Sequence, residues 1–544
     1  MQSVISQYIF LILIILGLVM LAQRLRIAYP IVLVVSGLLL SFTTTFSHIV
    51  IDPDAVFFIF LPPLLYEAAW QVSWKEFWKW RRVIMGFAFP IVIITACVIA
   101  VVAHVLLPGF SLALGFLLGG IISPPDAVSA TTIMRPMKVP RSMMSIIEGE
   151  SLLNDASSLI VFRFAIATIV TGQFHFGEAA LNFFLVVIVG SLIGIAVGLI
   201  FYAIHRYLPT TSSIEIILTL VTPYCMYYAA EHFHFSGVLA VVSGGLLLSN
   251  KRQSMMNYRS RVEAVNVWSN LVFVLNGLIF MLIGLQLPTI VEQLDDGGLW
   301  PAIGYGLIIS LVLIITRFAC TFGTVVFTRI MSRFVTVADD NPGWKAPLIA
   351  GWAGMRGVVS LAAAFSIPVM LSNGQAFPYR NLILFITFIV ILVTLVLQGL
   401  TLPWLIRKLN PEDKYAVMPN EKMEVVIQKK MALVSIKFLE DKFAKNQFPN
   451  DHVSKLYDRL KLDVDTIERE LKEQDQASRS SLKEYQGVYL EMLDTQRSLL
   501  NSMNKKSEFD EELIRKYLSL VDLEEFKVRE KLLQPMDDSM PTGN

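Results

Sequence analysis

Thirteen apolar stretches, each near the ~20 residues a helix needs to cross the hydrocarbon core of a bilayer, dominate this chain up to residue 408. They run over about 4–22, 29–46, 55–72, 83–106, 111–133, 142–171, 180–204, 213–231, 236–250, 264–287, 299–328, 346–371 and 380–406. A segment in hydrocarbon must satisfy its own backbone amides and carbonyls, so stretches of this length are expected to fold as helices. Charge marks where they stop. Residues 1–408 hold 23 Lys/Arg and 17 Asp/Glu, whereas 409–544 hold 22 and 27 in a third of that length. The expectation is an all-α membrane domain over 1–408 and a soluble helical tail over 409–544. This excludes a secreted globular enzyme. A disulfide scaffold is excluded too, because Cys97, Cys225 and Cys320 lie in apolar stretches without metal-ligand spacing.

Basic residues orient the spans. Loops after odd-numbered segments carry seventeen Lys/Arg, from Arg24 and Arg26 through Lys75, Arg81, Arg135 and Lys138 to Lys345, against Arg380 alone in the others. The excess places the odd loops and the tail in the cytoplasm and the N-terminus outside. The first segment lacks a basic residue before its apolar run, so an uncleaved helix is expected rather than a signal peptide. Trp74, Trp78 and Trp80 beside a basic cluster read as an interfacial belt.

Ionisable residues inside the spans carry the functional signal, because each is costly in hydrocarbon and normally faces a partner, a cavity or a transport path. They are Glu67, Asp126, Glu150, Asp155, Arg163, Glu215, Arg317 and Arg356. In the fifth segment Ser123-Pro124-Pro125-Asp126 removes two amide donors, so the helix should break there and leave carbonyls beside a carboxylate. The sixth reads Glu148-Gly149-Glu150-Ser151-Leu152-Leu153-Asn154-Asp155. Residues four apart share a helix face, which sets Glu150 over Asn154 and Ser151 over Asp155. These are hard oxygen ligands suited to an alkali cation. Glu148 lies nearer the cytoplasmic end, as an entrance residue or a solvated one. The twelfth segment carries Gly351-Trp352-Ala353-Gly354-Met355-Arg356-Gly357, a second weak point, with Arg356 placed to balance Glu67, Glu150 or the acidic cluster. Paired interruptions in the two halves point to an inverted-repeat transporter with a midplane site. Gly190, Gly194 and Gly198 form a stripe for close helix packing. No phosphate-binding loop or zinc-protease pair occurs, and no cofactor is expected.

These motifs resemble the monovalent cation:proton antiporter-1 family, which includes bacterial NhaP-type exchangers and animal Na⁺/H⁺ exchangers. Leu61-Pro62-Pro63-Leu64-Leu65-Tyr66-Glu67 is similar to its third-helix motif, and the likeness covers about residues 5–408. The resemblance implies a homodimer, with helices 4–6 and 11–13 as a moving core. It implies that Asp155 carries the ion or proton, completed by Asp126, Glu150 and Ser151, with Asn154 as the partner of Arg356. Asn154 stands where electrogenic relatives carry a second aspartate, which implies electroneutral exchange. Pro125 replaces the threonine of many relatives, so only its backbone carbonyl is available as a ligand there. Glu67 and Arg163 are expected to stabilise the site.

Together these readings give a secondary antiporter, not an enzyme. It would exchange Na⁺, with Li⁺ and K⁺ as competing candidates, for H⁺ across a bacterial plasma membrane in pH homeostasis. A proton-independent cation channel and an intramembrane aspartyl enzyme using Asp126 and Asp155 are the alternatives. In the tail, Val453, Leu456, Leu460, Val464, Ile467 and Leu471 keep helical spacing, and Pro449 and residues 474–481 should separate two or three helices.

Overall fold

The computed structural model describes residues 2–25, 27–43, 53–137, 139–172, 176–292, 294, 298–333, 343–371, 374–411, 420–443, 450–472, 476–504 and 510–532. Arg26, Lys138 and Pro449 lie outside them. The chain divides into two compact units, Met1–Asp413 and Lys414–Asn544.

The first unit is helical throughout its described elements. In chain order these are α1 (Gln2–Leu25), α2 (Tyr29–Leu40), α3 (Pro53–Gln71), α4 (Trp74–Leu106), α5 (Leu112–Ile122), α6 (Ala127–Met134) and α7 (Arg141–Thr171). There follow α8 (Phe176–Tyr207), α9 (Ser212–His232), α10 (Gly237–Met255), α11 (Tyr258–Leu285), α12 (Leu287–Glu292), α13 (Leu299–Met331), α14 (Lys345–Trp352), α15 (Val358–Phe365) and α16 (Arg380–Leu409). Among the described residues, eight helical stretches are long and apolar enough to cross a membrane, and Ile9–Leu25 and Tyr29–Leu40 are shorter apolar helices.

Sequence chemistry explains the irregular points. Pro90 cannot donate its backbone amide, and α4 loosens into a wider turn over Phe87–Ile91. The Ala88 carbonyl there accepts from Ser157 Oγ of α7 at 2.7 Å. Ser158 Oγ donates to Gly120 O of α5 at 2.6 Å. Two adjacent hydroxyls therefore fasten α7 to both neighbours at the level of Asp155. Small residues let α8 and α10 touch: a side chain at Gly194 would overlap the Ala240 backbone. The first turns of α10 are buried on every side from Val238 to Val242, as a helix surrounded by others should be.

The belt differs from its sequence reading at one position. Trp74 and Trp78 are exposed, but Trp80 is buried, its indole N–H donating to Glu76 at 3.2 Å. Trp80 lies two residues after Trp78, on the opposite face of the helix.

The second unit contains α17 (Asn420–Lys442), α18 (Asp451–Lys472), α19 (Gln476–Met503) and α20 (Glu511–Leu532). That makes four helices among the described residues, and α19 begins inside the stretch expected to be a linker. Ala432, Ile436 and Leu439 of α17 bury against Tyr457 and Val464 of α18, with Val453 and Leu460 alongside. Leu456 faces out at 50% exposure, because the buried stripe runs through its neighbour Tyr457. Arg497 of α19 bonds Asp522 at 2.8 Å and Glu525 at 2.5 Å on α20.

Candidate functional site

The site forms where two non-helical segments meet beside α7. Helix α5 ends at Ile122 and α6 begins at Ala127; α14 ends at Trp352 and α15 begins at Val358. The Asp126 backbone amide donates to the Met355 carbonyl at 2.7 Å, joining the two segments directly. Gly357 lies against the Asp126 carboxylate so closely that an added Cβ would overlap it. We therefore expect Gly357→Ala to push Asp126 off its helix cap and to lower exchange severely. Initial rates in vesicles normalised to inserted protein check this, and wild-type rates would overturn it.

Asp126 is the N-cap of α6. Its carboxylate accepts from Val128 N at 2.9 Å, the orphan backbone donor a cap satisfies, and from the Ser129 side-chain hydroxyl at 2.7 Å. From α7, Ser151 Oγ accepts from Ala127 N at 3.2 Å, and Asn154 Nδ2 donates to Pro125 O at 3.0 Å. Thus α7 supplies the polar groups that the interrupted helix lacks. Asn154 Oδ1 remains buried without a partner.

Asp155 differs from its neighbours. It is 7% exposed, and among the described residues no protein group donates a hydrogen bond to it. A cavity of about 10 Å³, room for one water-sized species, adjoins the site, lined in part by Pro125, Asp126, Glu150, Ser151 and Arg317.

The cations are wired differently from the sequence reading. Arg317 of α13 holds both oxygens of Glu150, with Nη2 to Oε2 at 2.7 Å, and the two side chains are 3% and 2% exposed. Among the described residues Arg356 pairs with no carboxylate and not with Asn154. Its Nε donates to Ile122 O at 2.6 Å, Nη1 donates to Gly354 O, and its backbone amide donates to Thr394 Oγ1 at 3.1 Å. The guanidinium thus satisfies the last carbonyl of α5, which has lost its helical donor, and a carbonyl of the non-helical segment after α14. Arg163 lies two turns along α7 from Asp155, and its Nη2 donates to both carboxylate oxygens of Glu231 on α9, each at 2.8 Å. Glu215 is also removed from the site: buried near the start of α9, it accepts from Asn257 and Thr210.

Glu67 accepts from Gln71, one turn on in α3. Gln71 accepts from Arg135 at 2.9 Å, and Arg135 reaches Glu148 at 3.4 Å. Glu67 and Glu148 are therefore two ends of one polar chain at the surface side of the site. The sequence names Arg317 without its partner, shows Gly357 only as part of a weak point and Arg135 only as a loop charge, and gives no sign of Thr394. Opposite charges at matching depth would have suggested Arg317 with Glu150; nothing in the sequence marks Thr394, an ordinary residue in an apolar span.

Residues 10–408 match the family model described as sodium/hydrogen exchanger, transmembrane. The chain is 34% identical over 394 residues to a sodium, potassium, lithium and rubidium/H⁺ antiporter of Bacillus pumilus, covering 70% of this chain. The match spans 58% of the length of that relative. An uncharacterized Na⁺/H⁺ exchanger of Mycobacterium tuberculosis is 30% identical over 522 residues, covering 95% of this chain and 94% of its own. Among solved structures, the sodium proton antiporter MjNhaP1 of Methanocaldococcus jannaschii at pH 8 shares the fold with a TM-score of 0.57 at 18% identity. That likeness covers 75% of this chain and all of MjNhaP1. A helical membrane unit of this fold, matched over nearly its whole length by one family model, makes this chain a member of the sodium/hydrogen exchanger family.

Proposed function

We propose that the chain exchanges Na⁺ for H⁺ across the plasma membrane of a bacterium, one for one, by alternating access. The observation that carries this reading is Asp155: a buried carboxylate without a protein donor among the described residues, in a site where Glu150, Asp126 and Arg356 are all bonded. A lone buried charge is costly unless something neutralises it. A proton or a Na⁺ ion can do so, and competition for one carboxylate is sufficient for coupled exchange. The occupied, neutral site can pass apolar walls, whereas the bare carboxylate cannot without a large desolvation cost. With Asn154 neutral, one carboxylate titrates per cycle and the exchange moves no net charge.

In this reading Asp155 is the carrier, and Asp126, Ser151 and the Pro125 carbonyl complete a hard-oxygen cation site. The membrane unit crosses thirteen times, with α5/α6 and α14/α15 as two interrupted crossings, N-terminus outside and tail in the cytoplasm. The molecule acts as a homodimer. The Bacillus pumilus relative is named for sodium, potassium, lithium and rubidium, so an ion series belongs in the assay.

Proteoliposomes loaded at acid pH test the proposal. Added Na⁺ should drive alkalinisation of the lumen, unaffected by clamping the membrane potential. A potential-dependent rate would refute one-for-one exchange, and cation flux without proton movement would favour a channel. Asp126→Asn keeps a capping oxygen for Val128 but removes the charge. We expect it to raise the half-saturating Na⁺ concentration by roughly tenfold or more, the order of one lost charged contact. An unchanged value would reduce Asp126 to a helix cap.

A further inference from the structure

A second cavity, of about 760 Å³, opens between α4 and α7 on one side and α8 and α10 on the other. Its size is in the range of about 300–1,000 Å³ usual for ligand sites. The ion site does not account for it. Its deeper wall is apolar, built from Leu153 of α7, Ile195 of α8 and Leu239, Val242 and Leu246 of α10. Its mouth is aromatic and basic, with Trp74, Trp78, Arg81 and Arg82 of α4.

The arrangement has a direction. From Leu239 to Asn250, both lining residues, α10 rises about 16 Å at 1.5 Å per residue. That is close to half of a hydrocarbon core of about 30 Å, the depth of a single leaflet. The polar end lies at the start of α4, where the Trp74 and Trp78 rings stack 5.8 Å apart. Arg81 lies over the Trp78 ring at 4.6 Å and donates one bond to the Trp78 carbonyl at 2.5 Å. The ring holds the guanidinium at the rim, at the level where aromatic residues mark the interface. A cation beside an aromatic ring at the interface, above an apolar slot one leaflet deep, is complementary to an anionic lipid.

We propose that this crevice binds one anionic phospholipid of the leaflet that carries the basic loops. One of its acyl chains lies along α10 and its phosphate meets Arg81 and Arg82. Apolar walls bind the chain through area removed from water or competing surfaces, and each basic residue near the phosphate adds an electrostatic contribution. The site borders α7, since Leu153 is a wall residue two positions from Asp155. On the exchange reading, α4 and α7 belong to the moving part, so a lipid wedged against α8 and α10 would bias its two positions. Binding itself does not depend on that reading, and the experiment measures binding.

Full-length protein in mild detergent is titrated with phosphatidylglycerol or phosphatidylcholine and followed by native mass spectrometry. One phosphatidylglycerol per chain should be retained, on the order of tenfold better than phosphatidylcholine. The double variant Arg81→Gln/Arg82→Gln should lose that preference. Ile195→Trp, which fills the slot from a partly exposed position, should lower retention of both lipids, and melting curves of both variants verify their fold. Equal retention of the two lipids by the wild type would overturn the proposal, as would variants that bind like the wild type. Displacement of phosphatidylglycerol by equimolar inorganic phosphate would make the arginines a phosphate site and remove the lipid. Dissociation of a dimer by Ile195→Trp would identify a second copy as the occupant. A protein that binds lipid in this way but moves no protons would leave the site intact and refute the exchange.

Discussion

Replacing Asp155 with asparagine abolishes Na⁺-driven proton movement while leaving the protein folded and inserted. Geometry leads to both halves of this expectation. No hydrogen bond from another residue ends on the Asp155 carboxylate among the described residues, so its removal breaks no protein contact. Asparagine is nearly isosteric and removes an uncompensated buried charge, so thermal stability in detergent should be unchanged or higher. Function should behave in the opposite way, because an amide neither takes up the proton nor neutralises a cation. Exchange in proteoliposomes should fall to the level of empty vesicles at every pH. Near-normal exchange would remove Asp155 from the cycle. A misfolded variant would show that the carboxylate has a structural partner.

Much of this site is legible in the sequence because its chemistry is local. Two prolines at 124 and 125 remove successive donors, and the chain is not helical between Ile122 and Ala127. Ser151, Asn154 and Asp155 lie on one helix, so their spacing alone brings them to one side. Partnerships between distant segments are not encoded in that way. Arg356 is separated by 234 positions from Ile122, whose carbonyl it binds, and Glu150 by 167 from Arg317. A sequence shows that buried charges must be balanced but not by whom. The sequence therefore points Arg356 at the acidic cluster, although carbonyls left by an interrupted helix are equally good acceptors for a guanidinium. The tail shows the same limit at smaller scale. Helical spacing is satisfied equally by Leu456 and by Tyr457, and only packing against Ile436 and Leu439 decides that Tyr457 is the buried one.

Arg317→Met should destabilise the protein far more than the loss of most single contacts, by about 3–5 kcal/mol, because it leaves Glu150 buried and unpaired. The argument rests on burial: both side chains are almost inaccessible, and the guanidinium meets both carboxylate oxygens. Such a pair contributes little over an apolar replacement of equal shape, since desolvating two charges offsets their attraction. Removing both charges together should therefore recover most of the loss. The double variant Glu150→Gln/Arg317→Met should melt close to the wild type, and a double-mutant cycle of melting curves in detergent measures the coupling. That variant also decides what Glu150 does. If its carboxylate is held by Arg317 throughout the cycle, it joins α7 to α13 and contributes no ligand to the ion, and the stable double variant should exchange with a half-saturating Na⁺ concentration near that of the wild type. If the double variant is well folded but its Na⁺ affinity collapses, Glu150 leaves Arg317 during transport and belongs to the cation site, as the spacing of the sixth segment suggests. The structure favours the first outcome, because Arg317 engages both Glu150 oxygens while Asp155, five positions further along α7, meets no donor.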